Sequence, residues 1–258
     1  EALAVALADT REYKRRCYAH LAAGDPAFPC IATVNPARWE LGHVGWFQEY
    51  WCRRHAPSAP ARIPSECGKP SRIANADALW DSARVPHDVR WSLPLPDWRA
   101  IDRYLDDTLG DTQDALAASH DGERYFFELA LYHEDMHGEA LLMTLQTLAL
   151  PPPPGLREPP RVPASRSAGV DLAFPGGTLV AGSRESDARD RFVFDNEMRA
   201  HDVRVAPFAI AGSCVTEGEF AAFVDDGGYG RAELWTDEGW RWLASAGRFK
   251  AIHGIRRR

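Results

Sequence analysis

Apolar residues recur at helical spacing through the first 150 positions, then give way to strand-like runs after a proline-rich break. From Leu3 to Leu21, apolar positions at 3, 7, 13, 17, 18 and 21 predict a first helix, ended by Gly24 and Pro26. Asn35-Pro36 offers an N-cap with proline at the first helical position. A second helix is therefore expected from Ala37 to Arg54, with Trp39, His43, Trp46, Phe47 and Tyr50 on its inner face. From Ala56 to Pro96 periodicity is weak apart from Ala76 to Ser82, and the stretch holds Trp80, Arg84, His87, Arg90 and Trp91. It is expected to fold as a long loop over the end of the helices. A third helix, from Asp97 to Ala118, carries Trp98, Ile101, Tyr104, Leu105, Thr108 and Leu109 on its apolar side. The fourth, from about Glu123 to Leu150, presents Phe126, Ala130, His133, His137, Ala140 or Leu141, and Thr144. Four such helices make a bundle.

Six prolines between Pro151 and Pro160 stop the fourth helix. Beyond them, Ala173 to Gly182 and Ala200 to Ile210 read as strands, and Thr216 to Val224 as a short helix with Thr216 and Glu219 forming a capping box. The expected organisation is a helical domain at 1–150, a linker at 151–168 and a mixed α/β domain at 169–258.

The formal charge of −7 over 258 residues argues against a nucleic-acid-binding face, and the only basic run is Arg256 to Arg258. Five cysteines, at 17, 30, 52, 67 and 214, form no Cys-x-x-Cys pair, and their odd number cannot close into a full disulfide set. A reducing cytoplasm is the expected compartment. The opening Glu1 to Leu7 is too short, and too soon followed by Asp9, Arg11 and Glu12, for a secretory or membrane segment, so no membrane partner is expected.

The chemistry concentrates on the fourth helix. His133 and His137 stand one turn apart, so both imidazoles leave the same face, where an amphipathic helix would otherwise place core residues. A buried polar group without a partner costs on the order of 1–3 kcal/mol, and a metal ion satisfies two stacked imidazoles together. Gly138, costing about 1 kcal/mol against alanine in a helix, points to another helix or a ligand close to the backbone. His43, within the aromatic stripe of the second helix, is the third candidate ligand, its alternative being a core histidine bonded to a carbonyl. Three neutral imidazoles on a divalent ion leave positions open for substrate and dioxygen, or for water on zinc.

With these motifs in order, the chain resembles the sulfoxide synthases of ergothioneine biosynthesis and the related selenoneine synthases. The family's His-x-x-x-His-x-Glu is matched by His133, His137 and Glu139, and its upstream histidine by His43 in Leu41-Gly42-His43-Val44-Gly45-Trp46-Phe47. The second half is matched by Pro175-Gly176-Gly177, by Phe194-Asp195-Asn196-Glu197 followed by His201, and by Val215 to Phe223. The resemblance implies a DinB-like four-helix bundle fused to a domain like the formylglycine-generating enzyme, of C-type-lectin-like fold. It also implies non-haem iron(II), dioxygen, and bonding of sulfur or selenium to C2 of the hercynine imidazole. Glu139, roughly 200° around the helix from His137, cannot share its face and is expected to support the site rather than bind metal.

Three departures from the family pattern bear on substrate. Met136 stands where many ergothioneine-type enzymes have glutamine. Arg90 is the one obvious cation left in Arg90-Trp91-Ser92-Leu93-Pro94-Leu95-Pro96-Asp97, where γ-glutamylcysteine users carry carboxylate-gripping arginines. The Leu-Pro-Leu-Pro stretch resembles the selenoneine branch, which uses a selenosugar. A neutral selenosugar is thus the expected donor and a thiol such as γ-glutamylcysteine the alternative, with Trp46, Arg90 and Met136 as the expected pocket residues. The match fades beyond about Gly247, so the family's catalytic tyrosine and hercynine-holding residues are assigned to no position and the second domain is expected to be incomplete. The rival readings are a DinB-type metal-dependent thiol transferase on zinc or nickel, and a metal-stabilised binding module.

Overall fold

The structure, a computed structural model, describes residues 1–24, 26–55, 69–120, 124–156, 170–187 and 191–246. Its contacts divide into two compact units, Glu1–Glu158 with Glu185–Met198, and Pro159–Arg184 with Arg199–Arg258.

The first unit is built on four long helices. α1 spans Ala2–Gly24 and α2 Ala37–Glu49; after the short α3 (Ala76–Trp80) come α4 (Trp98–Ala118) and α5 (Tyr125–Thr147). α1 packs on α4 and α5, and α2 packs on α3, α4 and α5. Each buries the stripe that its 3.6-residue period predicts: Leu7, Trp39, Trp80, Ile101, Leu105 and Leu145 are wholly or almost wholly enclosed. Asp97 caps α4, its carboxylate accepting from the Ala100 amide at 2.7 Å. Pro36 occupies the cap position of α2 itself (φ −59°, ψ 132°), one residue earlier than expected, and no side chain caps that helix. The Asn35 side-chain oxygen Oδ1 instead accepts from Arg90 at 2.8 Å.

α2 reaches Arg54 as its periodicity predicts, but the last turn, Tyr50–Arg54, widens to π geometry, with the His55 amide donating to the Tyr50 carbonyl at 2.8 Å. Beyond this turn, the expectation for 56–68 lies outside the described residues. From Lys69 onward the predicted loop folds against α2. The Trp39 indole donates to Leu79 O at 2.8 Å, and Trp80 is enclosed, its ring stacked 5.6 Å from that of Tyr104. Gly42 permits this packing, since a Cβ there would meet the Trp80 indole at 2.3 Å.

In the second unit, two chain segments pair twice. β1 (Asp171–Phe174) pairs antiparallel with β4 (Phe208–Ala211), from Asp171 opposite Ala211 to Phe174 opposite Phe208. β2 (Gly177–Ala181) pairs with β3 (His201–Val205), from Gly177 opposite Val205 to Ala181 opposite His201. Each run read as one strand is therefore two, split at Pro175-Gly176 and Ala206-Pro207. Proline cannot donate to a ladder, and Gly176 takes φ +75° against the Val205 carbonyl, where a Cβ would lie 2.5 Å away. The capping box opens α6 (Glu217–Asp225): Thr216 Oγ1 accepts from the Glu219 amide at 3.2 Å, and Glu219 accepts from the Thr216 amide at 2.8 Å. A further helix, α7 (Asp237–Ala246), was not read from the sequence; it buries Leu243.

By its contacts, the segment 185–198, expected within the second domain, groups with the helical unit. Phe192 lies 5.4 Å from Tyr125 and 4.7 Å from Tyr132, Phe194 lies 6.0 Å from Tyr132, and Val193 between them is buried. Among the described residues, no helix is long and apolar enough to cross a membrane.

Candidate metal centre

α5 places His133 and His137 on one face, and α2 brings His43 against them. Each of the three rings offers one nitrogen, and these nitrogens lie within 4.8 Å of one another. His133 and His137 approach most closely, Nε2 to Nε2, at 3.2 Å.

The second nitrogen of two of the rings is tied. His43 Nδ1 lies 2.8 Å from the Trp80 carbonyl, and His137 Nδ1 lies 2.8 Å from Glu40 Oε1. A carbonyl only accepts, so His43 carries its proton on Nδ1 and turns the Nε2 lone pair inward; Glu40, as a carboxylate, fixes His137 in the same tautomer. The two readings of His43 are thus compatible, because one nitrogen bonds a carbonyl and the other faces the cluster. Aromatic neighbours hold the rings. His43 stacks between Trp39 (5.0 Å) and Trp46 (5.7 Å), and His133 lies flat on Phe47 at 3.6 Å.

Burial pushes His43 down to about 4, with the His137 charge adding and the Trp80 carbonyl opposing. Burial also drives His133 well below the ordinary histidine value, helped by the other two imidazoles and by Lys14. Both are therefore neutral at neutral pH, as metal ligation would require. Glu40 feels burial as an upward push, but the hydrogen bond and charge of His137, with Asn35 and His43, outweigh it and hold the carboxyl low.

The donor set fits a divalent cation. Lone pairs from His43 and His137 converge beside His133 Nε2, while His133 Nδ1 is buried with no partner among the described residues. Whichever nitrogen of His133 bears the proton, protons alone leave one buried position unsatisfied or lone pairs facing each other. A cation would accept all three pairs, and Glu40 behind His137 would then complete a carboxylate–histidine–metal arrangement.

The remaining predicted residues separate. Trp46 is buried, stacked on His43, and donates to Asp77 at 2.7 Å. Arg90 lies over the Trp39 ring at 3.9 Å, donates to Asn35 at 2.8 Å and to the Val85 carbonyl at 3.3 Å, and lines a cleft of about 240 Å³ with Phe28, Arg38, Trp91 and Leu95. Met136 is 47% exposed, and no described contact brings it to the histidines. Glu139 is exposed and makes no hydrogen bond or ion pair among the described residues, whereas Glu40, on α2, hydrogen-bonds His137. Glu40 went unread, although an acid three residues before His43, on a buried aromatic face, was a signal for it. Gly138 faces α1, where a Cβ would sit 3.5 Å from Lys14 Nζ and from the Tyr13 ring, an ordinary contact.

Comparison with known proteins adds to this geometry. Residues 159–255 match the sulfatase-modifying factor enzyme 1-like domain. The chain is 33% identical over 221 residues to a hercynine oxygenase of Mycolicibacterium smegmatis, covering 83% of this chain and 48% of that protein. Hercynine oxygenases of Mycolicibacterium thermoresistibile (31% over 218 residues; 83% and 46%) and Mycobacterium tuberculosis (31% over 216 residues; 83% and 48%) match similarly. The chain spans about half the length of these curated relatives. The second-domain match and these relatives agree: over most of its length the chain is similar to hercynine oxygenases.

Proposed function

We propose that this chain carries the metal site of an iron(II)- and dioxygen-dependent enzyme that bonds a chalcogen to C2 of the hercynine imidazole, with a selenosugar as the favoured donor. The observation that carries the reading is the convergence of His43, His133 and His137, two of them held neutral by burial, in a chain similar to hercynine oxygenases. Bound by these three nitrogens, iron(II) would supply an electrophilic, redox-active centre with positions left open for substrate and dioxygen. Glu40 and the Trp80 carbonyl hold the Nδ1 protons of His137 and His43, so both rings present Nε2. Trp39 and Trp46 cover the His43 ring, and Phe47 covers one face of the His133 ring. The four packed helices support a DinB-like bundle, and the match over 159–255 supports a formylglycine-generating-enzyme-like second domain. Cys17, Cys30, Cys52 and Cys214 are all free, which supports a reducing, cytoplasmic setting.

The donor preference rests on Arg90. It is the single arginine of its stretch, and its terminal nitrogens already bond Asn35 and Val85, so among its nitrogens only Nε is without a partner among the described residues, one donor against the two carboxylates of γ-glutamylcysteine. The test is metal analysis of anaerobically prepared protein, with oxygen uptake measured in the presence of hercynine and either a selenosugar or γ-glutamylcysteine. Stoichiometric iron lost in His137→Ala, and faster uptake with the selenosugar, are expected. Equal or reversed donor turnover returns the chain to ergothioneine-type sulfur chemistry. Zinc with no oxygen uptake replaces the whole reading with a DinB-type thiol transferase.

A further inference from the structure

α1 supplies no candidate ligand, yet it carries two of the most deeply buried charges in the helical unit, Arg11 and Lys14, each 1% exposed. The Arg11 guanidinium bonds the other three long helices at once. Nε donates to Glu134 Oε1 at 2.7 Å and Nη2 to Glu134 Oε2 at 3.0 Å on α5; Nη2 also donates to Gln48 Oε1 at 2.6 Å on α2, and Nη1 donates to the Leu105 carbonyl on α4. These partners lie at the level of the histidines. Glu134 directly follows His133, and Gln48 directly follows Phe47, the ring on which His133 stacks. One turn further along α1, Lys14 donates to the Glu134 carbonyl, and Thr10 donates to the Asp135 carboxylate. Three side chains of α1 therefore grip the turn of α5 between the two histidines, and Gly138 lies where Lys14 and Tyr13 come against its backbone.

A buried ion pair is a poor source of stability, because desolvation offsets most of its attraction and well-packed apolar residues often do as well. What a guanidinium supplies is geometry: planar, fixed donors that hold several partners at set distances, which a lysine ammonium does not reproduce. We propose that Arg11 is a positioning residue of the metal centre, setting the spacing of α2, which brings His43, from α5, which brings His133 and His137. The proposal rests on the metal reading above and assigns Arg11 no contact with metal or substrate.

The test uses cobalt(II) as the probe, read by its visible absorption and by competition with a chelator. In the double variant Arg11→Met with Glu134→Leu, neither charge is left unpaired, and the apoprotein should keep its fold. Its cobalt affinity should fall at least ten-fold, with a changed absorption spectrum. Gln48→Leu, which cuts the guanidinium from α2 alone, should weaken affinity at least three-fold with the same spectral change, and it decides the matter if the double variant fails to fold. Wild-type affinity and spectrum in folded Gln48→Leu overturn the positioning role while leaving the metal reading intact. A wild-type protein that binds neither cobalt nor iron overturns both.

Discussion

Alanine at Gly42 and alanine at Gly138 make the same substitution inside two helices, and the structure assigns them opposite signs. A Cβ on Gly42 lies 2.3, 2.4 and 2.5 Å from three atoms of the Trp80 indole. Carbon atoms pack best at about 3.5–4.0 Å, so the ring must retreat by more than about 1 Å. Trp80 has nowhere to go: it is fully enclosed, stacked on Tyr104, and its own carbonyl holds His43. Overpacking of this kind costs about 1–3 kcal/mol, and the gain in helix propensity from glycine to alanine returns only about 1 kcal/mol. At Gly138 the nearest atoms stand at 3.5 Å, an ordinary contact, so the propensity gain survives as stabilisation of up to about 1 kcal/mol. Urea denaturation of the apoprotein, followed by tryptophan fluorescence, should place the midpoint of Gly42→Ala below wild type and that of Gly138→Ala at or above it. In melting temperature, each kcal/mol corresponds to about 2–4 °C for a domain of this size. A Gly42→Ala protein as stable as wild type would show that Trp80 does not lie on that backbone and would remove the account of how His43 is oriented.

Two further predictions follow from the bonds around the site. Glu40→Gln keeps the shape but loses the charge behind His137, and should weaken metal affinity by about 10–100-fold in chelator competition; an unchanged affinity would mean that Glu40 does not orient the ring. Asp77 is held below its ordinary value of 3.8 first by its hydrogen bonds from Arg54 and then by Trp46, against the upward push of burial. A depressed carboxyl contributes stability that is present above the unfolded value and lost as pH falls through the folded one. The stability gap between wild type and Asp77→Asn, taken from denaturant midpoints, should therefore be widest near neutrality and close below pH 3.8; a gap constant from pH 7 to 3 would refute the pairing.

The helices and two parts of the site were legible because their signals are local. Period, cap and proline fix α1, α2, α4 and α5, and the spacing of His133 and His137 fixes a shared face whatever packs on it. His43 was legible because a histidine inside an aromatic stripe has to be buried. What escaped is tertiary. Arg11 and Lys14 carry no signal of burial in the sequence, since nothing in their neighbourhood names Glu134 or Gln48, more than a hundred and more than thirty residues away. Glu40 and Glu139 compete for one role, and only the packing of α2 against α5 decides for Glu40. The strands were found but not their breaks, because Pro175 and Pro207 were left inside single runs rather than weighed as paired interruptions on facing segments. α7 hid behind Gly239 and a short period.

The placement of residues 185–198 bears on how this protein can be recombined. The chain leaves the second unit at Arg184, packs Phe192 and Phe194 on Tyr125 and Tyr132 of α5, and rejoins it at Arg199. The proline-rich stretch after α5 is thus not the sole point at which the chain passes between the two units. A chimera joined there with a foreign second half would strip the aromatic cover from the helix that carries His133 and His137, whereas one that also carried residues 185–198 across would keep it.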